Sequence, residues 1–369
     1  MIEPSFPTPQ RSTLNVDIVI DNYNYSRFLA TAIESALQQT HPRVHVVVVD
    51  DGSTDDSRTV IARYDGRVTA VLKDNGGQAS AVNVGFARAR GDAVIFLDAD
   101  DVLLPDTAAR VADVFARHGG TVKVQYRMAV IDGAGRPTGE FVPPQGVLLP
   151  NGDVRRAELT QPFDLRWVGM SGNAFSYRAL AAVLPMPEAD FVNNADDYLK
   201  HLVPLRGRVI SLEAIGAYYR VHGDNLYALP QSRLDLDHVR QAVRFAASTR
   251  RCLRRDAVAL GLQMPPGPIL SVADLANRLV SRKLEPAAHP LPNDLVPRLA
   301  LGGFVAALRR QDVRWPVKLM FIAWFVGMAV LPRPGARPLA KAFLAPKSRR
   351  VLDPVLRRLA RPIGRSGEA

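Results

Sequence analysis

The sequence is poor in cysteine, since Cys252 is the only one in 369 residues. A single cysteine excludes an intrachain disulfide and a cysteine-based zinc cluster, and it is typical of proteins in a reducing compartment. Residues 1–13 also lack the apolar core of a secretory signal peptide. We therefore predict a cytoplasmic protein.

One common nucleotide-binding signature is also missing. No Gly-x-Gly-x-x-Gly follows the first apolar run, which argues against a nicotinamide-dependent oxidoreductase. Charged residues make up 22% and hydrophobic residues 47% of the chain, so neither disorder nor a polytopic membrane protein is indicated. A chain of this length can form two or more domains.

Acidic residues are scarce near the C-terminus. Residues 298–369 hold 15 Lys or Arg against three acidic residues, a net charge of +12, whereas the whole chain carries +11. The uncharged run Leu319–Leu331 has 13 residues, short of the roughly 20 that a bilayer span needs. We predict that residues 301–369 form a basic and apolar tail, peripheral to the inner face of a membrane and bound to its anionic surface. The alternative is a helix buried in a C-terminal subdomain. A nucleic-acid partner is not predicted, because no recognised binding motif accompanies the basic residues.

Apolar runs of strand length alternate with helical patterns from residue 14 onward. The helical patterns place apolar residues three and four apart, as between Phe28 and Leu37. This alternation predicts successive β-α-β units over a parallel sheet, in which ligands bind at the carboxyl ends of the strands. The predicted strands are Val16–Ile20, Val44–Val49, Val68–Leu72 and Val94–Leu97.

Clusters of aspartate follow two of these strands. Asp50-Asp51-Gly52-Ser53 ends the second strand, and Asp98-Ala99-Asp100-Asp101 ends the fourth. Their mutual repulsion must be offset, and Mg²⁺ or Mn²⁺ with bound phosphate is the natural compensator for oxygen ligands. Each cluster also has a purely structural alternative when taken alone. The first could be a capped β-to-α turn, and the second could be a solvated acidic loop. Asn75-Gly76-Gly77-Gln78 either brings backbone N–H groups to a diphosphate or forms an ordinary glycine turn.

Five motifs, in order and spacing, resemble the nucleotide-sugar-binding half of family 2 glycosyltransferases across about residues 14–105. They are Tyr23-Asn24, Asp50-Asp51-Gly52-Ser53, Asn75-Gly76-Gly77, Asn83-x-Gly85 and Asp98-Ala99-Asp100-Asp101. The resemblance implies a GT-A fold, which is an α/β architecture with a Rossmann-like, mostly parallel central sheet flanked by helices, here followed by a C-terminal helical extension. One departure is that Asp21-Asn22 stands where the family usually has proline before its Tyr-Asn element.

The resemblance continues less densely to about residue 227 and implies further site residues. Ser171-Gly172-Asn173-Ala174-Phe175 resembles the loop near the donor sugar and acceptor, with a plain turn into a strand as the alternative. Asn194-Ala195-Asp196-Asp197 matches the acidic motif that supplies the catalytic base, assigned to Asp197 with Asp196 as the fallback or as a helix N-cap. Tyr219-Arg220-Val221-His222-Gly223-Asp224-Asn225 resembles the closing Tyr-Arg-x-His-x-x-Asn element, which implies that His222 meets the metal or diphosphate. Asp100 is predicted to bind the metal, because Asp98 and Asp100 are carboxylates on alternate residues. The residues predicted to bind the nucleotide or donor are Asn22, Tyr23, Asn24, Asp51, Asn75, Gly77, Asn83, Asp98, Gly172 and Asn173.

The resemblance implies an inverting glycosyltransferase that uses Mn²⁺ or Mg²⁺ and a UDP-sugar or other nucleotide sugar. The acceptor would be a hydroxyl of a glycan or lipid-linked glycan in cell-surface polysaccharide synthesis. The first alternative is a non-catalytic glycan- or lipid-binding protein on a GT-A scaffold. The second is a sugar nucleotidyltransferase, which would normally have a Gly-rich N-terminal loop; residues Leu14–Asn24 contain no such loop. The predicted divisions are an N-terminal extension at 1–13, a nucleotide-sugar-binding half at 14–118, an acceptor-binding half at 119–230, a helical region at 231–300 and the tail at 301–369.

Overall fold

A computed structural model describes residues 13–223, 225, 234–264, 269–310 and 313–344. They divide into two units, the first within Met1–Glu158, Leu165–Asn225 and Cys252–Gln263, the second within Leu159–Asp164, Leu226–Arg251 and Met264–Ala369. The strands are β1 (Val16–Asn22), β2 (Val44–Asp51), β3 (Thr69–Lys73), β4 (Ala93–Asp98), β5 (Val102–Leu103), β6 (Thr121–Asp132), β7 (Pro137–Val142), β8 (Asn173–Ser176) and β9 (Arg208–Val221). The helices are α1 (Ser26–Leu37), α2 (Ser57–Ala62), α3 (Gln78–Phe86), α4 (Thr107–Arg117), α5 (Arg155–Thr160), α6 (Tyr177–Ala181), α7 (Glu188–Phe191), α8 (Ala195–Leu202), α9 (Leu236–Ala259), α10 (Val272–Leu284), α11 (Val296–Arg309), α12 (Trp315–Val330) and α13 (Arg333–Leu344).

The first unit is built on one nine-stranded sheet in the order β3-β2-β1-β4-β8-β6-β9-β5, with β7 paired to β6. The four strands predicted from the apolar runs are present and mutually parallel where they pair. Most residues of β1, β2 and β4 are buried on both faces, as in parallel sheets covered by helices, whereas those of β3 at the sheet edge are half-buried or exposed. Strand β8 runs antiparallel to β4 and β6, which adds antiparallel pairs beyond the parallel strands β1 to β4.

Helices α1 and α3 cover this sheet as their sequence patterns predict. The buried side chains of α1 recur three and four residues apart, from Phe28 to Ala36. Helix α3 approaches β1 and β2 closely at Gly85, where a Cβ would lie 2.4 Å from Cγ1 of Val19. A glycine at this position therefore fixes the distance between helix and sheet, and with it the position of the loop that precedes α3.

The second unit is helical in its described part. Helices α10 to α13 share one hydrophobic core with the start of α9. The predicted boundary at residue 300 falls inside α11, so the described part of the basic segment is folded together with the helices before it. The apolar run lies in α12, where Trp324 donates a hydrogen bond from Nε1 to the carbonyl of Leu339 at 2.9 Å. Of the helices in the described ranges, none is long and apolar enough to cross a membrane.

Candidate active site

The carboxyl ends of β1, β2 and β4 bring the predicted donor-site residues to one edge of the sheet. Strand β1 lies between the other two, and its register sets Asp21 opposite Asp98 on one side and Asn22 opposite Asp50 on the other. This is the point in an open α/β sheet at which the strand order reverses, where such sheets bind ligands. The placement agrees with the predicted crevice.

Asp51 holds the glycine-rich loop closed. Its Oδ1 accepts hydrogen bonds from Lys73 Nζ and from the N–H of Gly76 at 3.0 Å, and its Oδ2 accepts from the N–H of Gly77 at 2.7 Å. The two backbone donors expected to approach a diphosphate are therefore already engaged by Asp51. Gly52 packs so closely against Asn75 that a Cβ would lie 2.5 Å from its backbone nitrogen. This contact fixes the loop's first residue.

Asn22 and Asn24 tie the end of β1 to the turn after β2. The buried Asn22 donates from Nδ2 to Asp50 Oδ1 at 3.0 Å and to Ser53 Oγ at 3.1 Å. Asn24, at a left-handed φ of 59°, accepts at Oδ1 from the N–H of Thr54 at 2.7 Å. Both asparagines shape the crevice through protein contacts, whereas the Tyr23 ring between them is 46% exposed. Tyr23 is thus the member of this motif whose ring lies open to solvent.

Three other predicted donor residues bond mainly to the protein itself. Asn83 donates from Nδ2 to the carbonyl of Met186 at 3.0 Å and accepts from its N–H at 2.8 Å, which ties α3 to the segment before α7. Asn173 is buried and donates to the carbonyl of Gly169 at 2.6 Å. At Gly172 a Cβ would lie 2.1 Å from Cγ1 of Val168. Gly172 and Asn173 therefore shape the loop before β8, and Asn83 positions the segment before α7.

Four carboxylates crowd the end of β4. Burial, then repulsion from neighbouring aspartates, raises the pKa of Asp98 and of Asp101 well above the usual value. Burial likewise raises the pKa of Asp21 to about 7, with repulsion from Asp100 and Asp51 adding to it. Within the described ranges, Oδ1 of Asp21 and Oδ2 of Asp101 are buried without a hydrogen-bond partner. The site therefore has more negative charge than the surrounding protein neutralises.

His222 lies against Asp100, which is also a predicted metal ligand. Its Nε2 lies 2.9 Å from Asp100 Oδ2, and its Nδ1 lies 3.1 Å from Arg27 Nη2. Because a guanidinium only donates, Nδ1 is the acceptor and Nε2 carries the proton that binds Asp100. Asn225 donates to the same oxygen at 3.1 Å. His222 thus orients Asp100 in this arrangement, and a cation would compete with the proton for Nε2.

The chemistry of this site fits a hard divalent cation only in part. Asp98 and Asp100 offer oxygen ligands, and within the described ranges Asp21 Oδ1 and Asp101 Oδ2 are buried without a hydrogen-bond partner. Over the part of the chain that the structure describes, however, no three His, Cys, Asp or Glu side chains converge as a preformed metal cage. Mg²⁺ commonly binds through one or two carboxylates together with substrate phosphates. The residues fit a cation of that kind, completed by a diphosphate.

The second acidic pair lies in the first turn of α8, and its two members differ. Asp197 forms an ion pair with Lys200 and accepts at Oδ2 from Asn194 Nδ2 at 2.8 Å. Despite burial, these contacts lower the pKa of Asp197. Burial raises the pKa of Asp196, whose link to Lys200 is longer at 3.3 Å. Neither side chain caps α8, since the N-cap is Asn194.

Gln78 joins the two acidic sites, a role that the sequence does not reveal. Its Nε2 donates to Asp98 Oδ1 at 3.2 Å, while its Oε1 accepts from the N–H of Ala195 at 3.3 Å. Asp196 is also among the charges that raise the pKa of Asp98. Gln78 therefore joins the end of β4 to the start of α8, and the Asp196 carboxylate lies near enough to contribute to the raised pKa of Asp98.

A buried polar cluster lies behind α8, and its lysine was not predicted. Lys123 is fully buried, its Nζ lies 3.6 Å from the centroid of the Trp167 ring, and it has no hydrogen-bond partner within the described ranges. Glu158 accepts from Trp167 Nε1 at 2.9 Å and pairs with His201 at 2.9 Å. Burial lowers the pKa of Lys123 well below 10.5. The only sign of this buried cluster in the sequence is that a charged residue, Lys123, lies within an apolar strand pattern.

We expect Lys123→Met to raise the free energy of unfolding near neutral pH by about 1–3 kcal/mol, because it removes a buried polar group without a partner. The gain should shrink as pH rises towards 10.5, where the unfolded lysine also loses its proton. Denaturant unfolding across this pH range measures both effects. Lys200→Met, which strips Asp196 and Asp197 of their cation, is the matched control and should destabilise. A Lys123→Met protein that is less stable than wild type at every pH would contradict this account.

The mixed sheet thus carries carboxylates at its switch point, and Gln78 joins them to a second acidic pair at the start of α8. The family model for glycosyl transferase family 2 matches residues 17–156. An uncharacterized glycosyltransferase of Nostoc is 35% identical over 216 residues, which are 58% of this chain and 66% of that protein. A putative teichuronic acid biosynthesis glycosyltransferase of Bacillus subtilis, TuaG, is 38% identical over 90 residues, or 23% of this chain and 36% of the relative.

Comparison with solved structures supports the same fold. TarS 1–349 of S. aureus, in a crystal structure with UDP-GlcNAc, superposes with a TM-score of 0.53 at 15% identity, covering 89% of this chain and 91% of that one. Residues 17–156 thus resemble glycosyl transferase family 2, and the predicted GT-A fold is confirmed. The sequence matches span less than two thirds of the curated relatives' own lengths.

Proposed function

We propose that the protein transfers a sugar, with inversion, from a nucleoside diphosphate donor to a hydroxyl of a glycan or lipid-linked glycan in cell-surface polysaccharide synthesis. The observation that carries this proposal is the Gln78 bridge, which sets the carboxylates after β4 and those opening α8 around one crevice. Donor binding alone would need only the first set. A second carboxylate across the crevice is what an inverting transfer requires, since a base must face the leaving group.

We infer that Asp196 is the base. Its raised pKa and looser hold on Lys200 leave it a better proton acceptor than Asp197, whose carboxylate is engaged by Lys200 and Asn194. As the acceptor oxygen bonds to the anomeric carbon, its proton passes to Asp196. The bond from that carbon to the diphosphate oxygen breaks, and its electron pair leaves with the diphosphate. This assignment reverses the preference for Asp197 that motif alignment gives.

Asp98 and Asp100 would hold a divalent cation, Mn²⁺ or Mg²⁺, together with the donor diphosphate. When bound, such a cation stabilises the charge that develops on the departing diphosphate. His222 and Asn225 orient Asp100, and Asp51 keeps the loop before α3 closed over the crevice. UDP-sugars are the first donors to test, since TarS, which has the same fold, was crystallised with UDP-GlcNAc.

Donor hydrolysis tests the proposal without knowledge of the acceptor. When water replaces the acceptor, an inverting enzyme first releases the sugar with the opposite anomeric configuration. Proton NMR of fresh reaction mixtures should therefore show the β anomer first from an α-linked donor, together with free nucleoside diphosphate. Release of the α anomer first would contradict inversion. A nucleotidyltransferase would instead give a sugar phosphate.

We expect Gly77→Ala to weaken donor binding at least tenfold. Gly77 has a φ of +83°, and a Cβ there would lie 2.7 Å from the carbonyl oxygen of Val192, so the loop held by Asp51 must move. Gly66→Ala is the matched control, because Gly66 has a φ of +73° but nothing within 4 Å of its Cβ position. Both variants should lose about 1–2 kcal/mol of stability from the left-handed conformation, and only Gly77→Ala should change the nucleotide Kd. Equal donor affinity in the two variants would contradict a role for this loop.

A further inference from the structure

Helix α12 is apolar on two opposite sides, and only one of them is packed. Val317, Trp324, Phe325 and Met328 are buried in the core of the second unit. On the other side, spaced three or four residues apart, lies a row formed by Trp315, Leu319, Ala323, Val326 and Val330. Its large side chains are 51% to 77% exposed. We call these five residues the outer row.

Exposed basic side chains follow the outer row along the chain. Arg333, Arg337 and Lys341 are exposed and spaced four residues apart along α13, which packs on α12 through the stacked rings of Trp324 and Phe343. Residues 313–344 contain five Lys or Arg and no Asp or Glu. An exposed apolar row in a segment that holds basic residues and no acidic ones is the pattern of a helix that lies in the headgroup region of a membrane.

Other occupants of this face fit less well. A second copy of the chain would set five cations against five, with no carboxylate in residues 313–344 to neutralise them. A nucleic acid would use the cations but not the apolar row. Helix α12 has 16 residues and is about 24 Å long, less than the roughly 30 Å hydrocarbon core of a bilayer. Its length favours a position along the surface of a membrane.

We propose that the outer row of α12, together with the basic row of α13, is a docking surface for an anionic phospholipid bilayer. The apolar row enters the boundary between headgroups and acyl chains, and the cations contact lipid phosphates. This proposal stands apart from the transfer reaction, because vesicle binding requires neither donor nor turnover. Within the predicted membrane-associating tail, residues 301–369, it assigns lipid binding to the exposed side chains of α12 and α13.

Flotation of the full-length protein with vesicles tests the proposal. Wild type should float with vesicles that contain phosphatidylglycerol, less so at high salt, and weakly with phosphatidylcholine alone. The double variant Leu319→Asp/Val326→Asp should lower the bound-to-free ratio at least tenfold. Arg337→Gln and Lys341→Gln should each lower it about fivefold on phosphatidylglycerol vesicles only. Leu148→Asp/Val258→Asp, at sites 72% and 74% exposed in the first unit, is the matched control and should float like wild type.

Three results would overturn the proposal. The first is flotation of Leu319→Asp/Val326→Asp at the wild-type level, which would place lipid binding elsewhere in the chain. The second is equal binding of the wild type to both kinds of vesicle. The third is a wild-type protein that is dimeric without lipid in analytical ultracentrifugation, with Leu319→Asp/Val326→Asp monomeric. Unchanged circular dichroism and nucleotide affinity in each variant show that the fold and the donor site are intact.

Discussion

Asp196→Asn is expected to lower kcat about 10²-fold or more while nucleotide affinity changes little, because asparagine keeps the shape of the side chain but cannot accept the acceptor proton. The raised pKa of Asp196 also predicts that kcat/KM falls on the acidic side at a pH above the usual 3.8 of an aspartate. Turnover and nucleotide binding measured on the same preparation separate the two effects.

Asp197→Asn is the control for this prediction. It removes the ion pair with Lys200, so it should lower stability and reduce turnover less than Asp196→Asn does. If Asp197→Asn is the inactive variant and Asp196→Asn turns over normally, the two roles are reversed and the motif-based assignment is correct.

Asp100→Asn is expected to abolish transfer and to remove the metal dependence of nucleotide binding. The substitution removes the charge at Oδ2, where His222 and Asn225 converge, and with it a strong ligand for a hard cation. Calorimetric titration with nucleoside diphosphate, in Mn²⁺ and in chelator, should show a large difference for wild type and none for the variant. Asp106→Asn, in a surface pair with Arg110, should behave like wild type. Metal-dependent binding that survives in Asp100→Asn would contradict the assignment of Asp100.

The donor half of the fold was predictable because its signals are local. Each buried parallel strand is a short run of β-branched residues, and each covering helix has one apolar stripe, so strand and helix could be assigned from β1 to β4. The acidic strand ends then had to share an edge. The antiparallel pairing of β8 could not be predicted, because it depends on contacts between segments some 50 to 80 residues apart.

The partners of the site residues were less predictable than their positions. Asp51 could be placed at the crevice, yet its bonds to Gly76 and Gly77 depend on how the loop closes. Gln78 ends the glycine-rich segment but had no predicted role for its side chain, and Lys123 belongs to no motif. The importance of both follows only from what surrounds them in the fold. Helix α12 was recognisable as apolar, but a helix that is apolar on all sides does not reveal which face is packed.

The most direct test of the account is thermal stabilisation of the wild-type protein by a panel of nucleoside diphosphates and their sugars, with Mn²⁺ and with chelator. Nucleotides of one base should raise the Tm clearly in Mn²⁺ and much less in chelator, since ligand that binds only the folded state stabilises it by mass action. No stabilisation by any nucleotide under either condition would contradict a metal-supported nucleotide-sugar site.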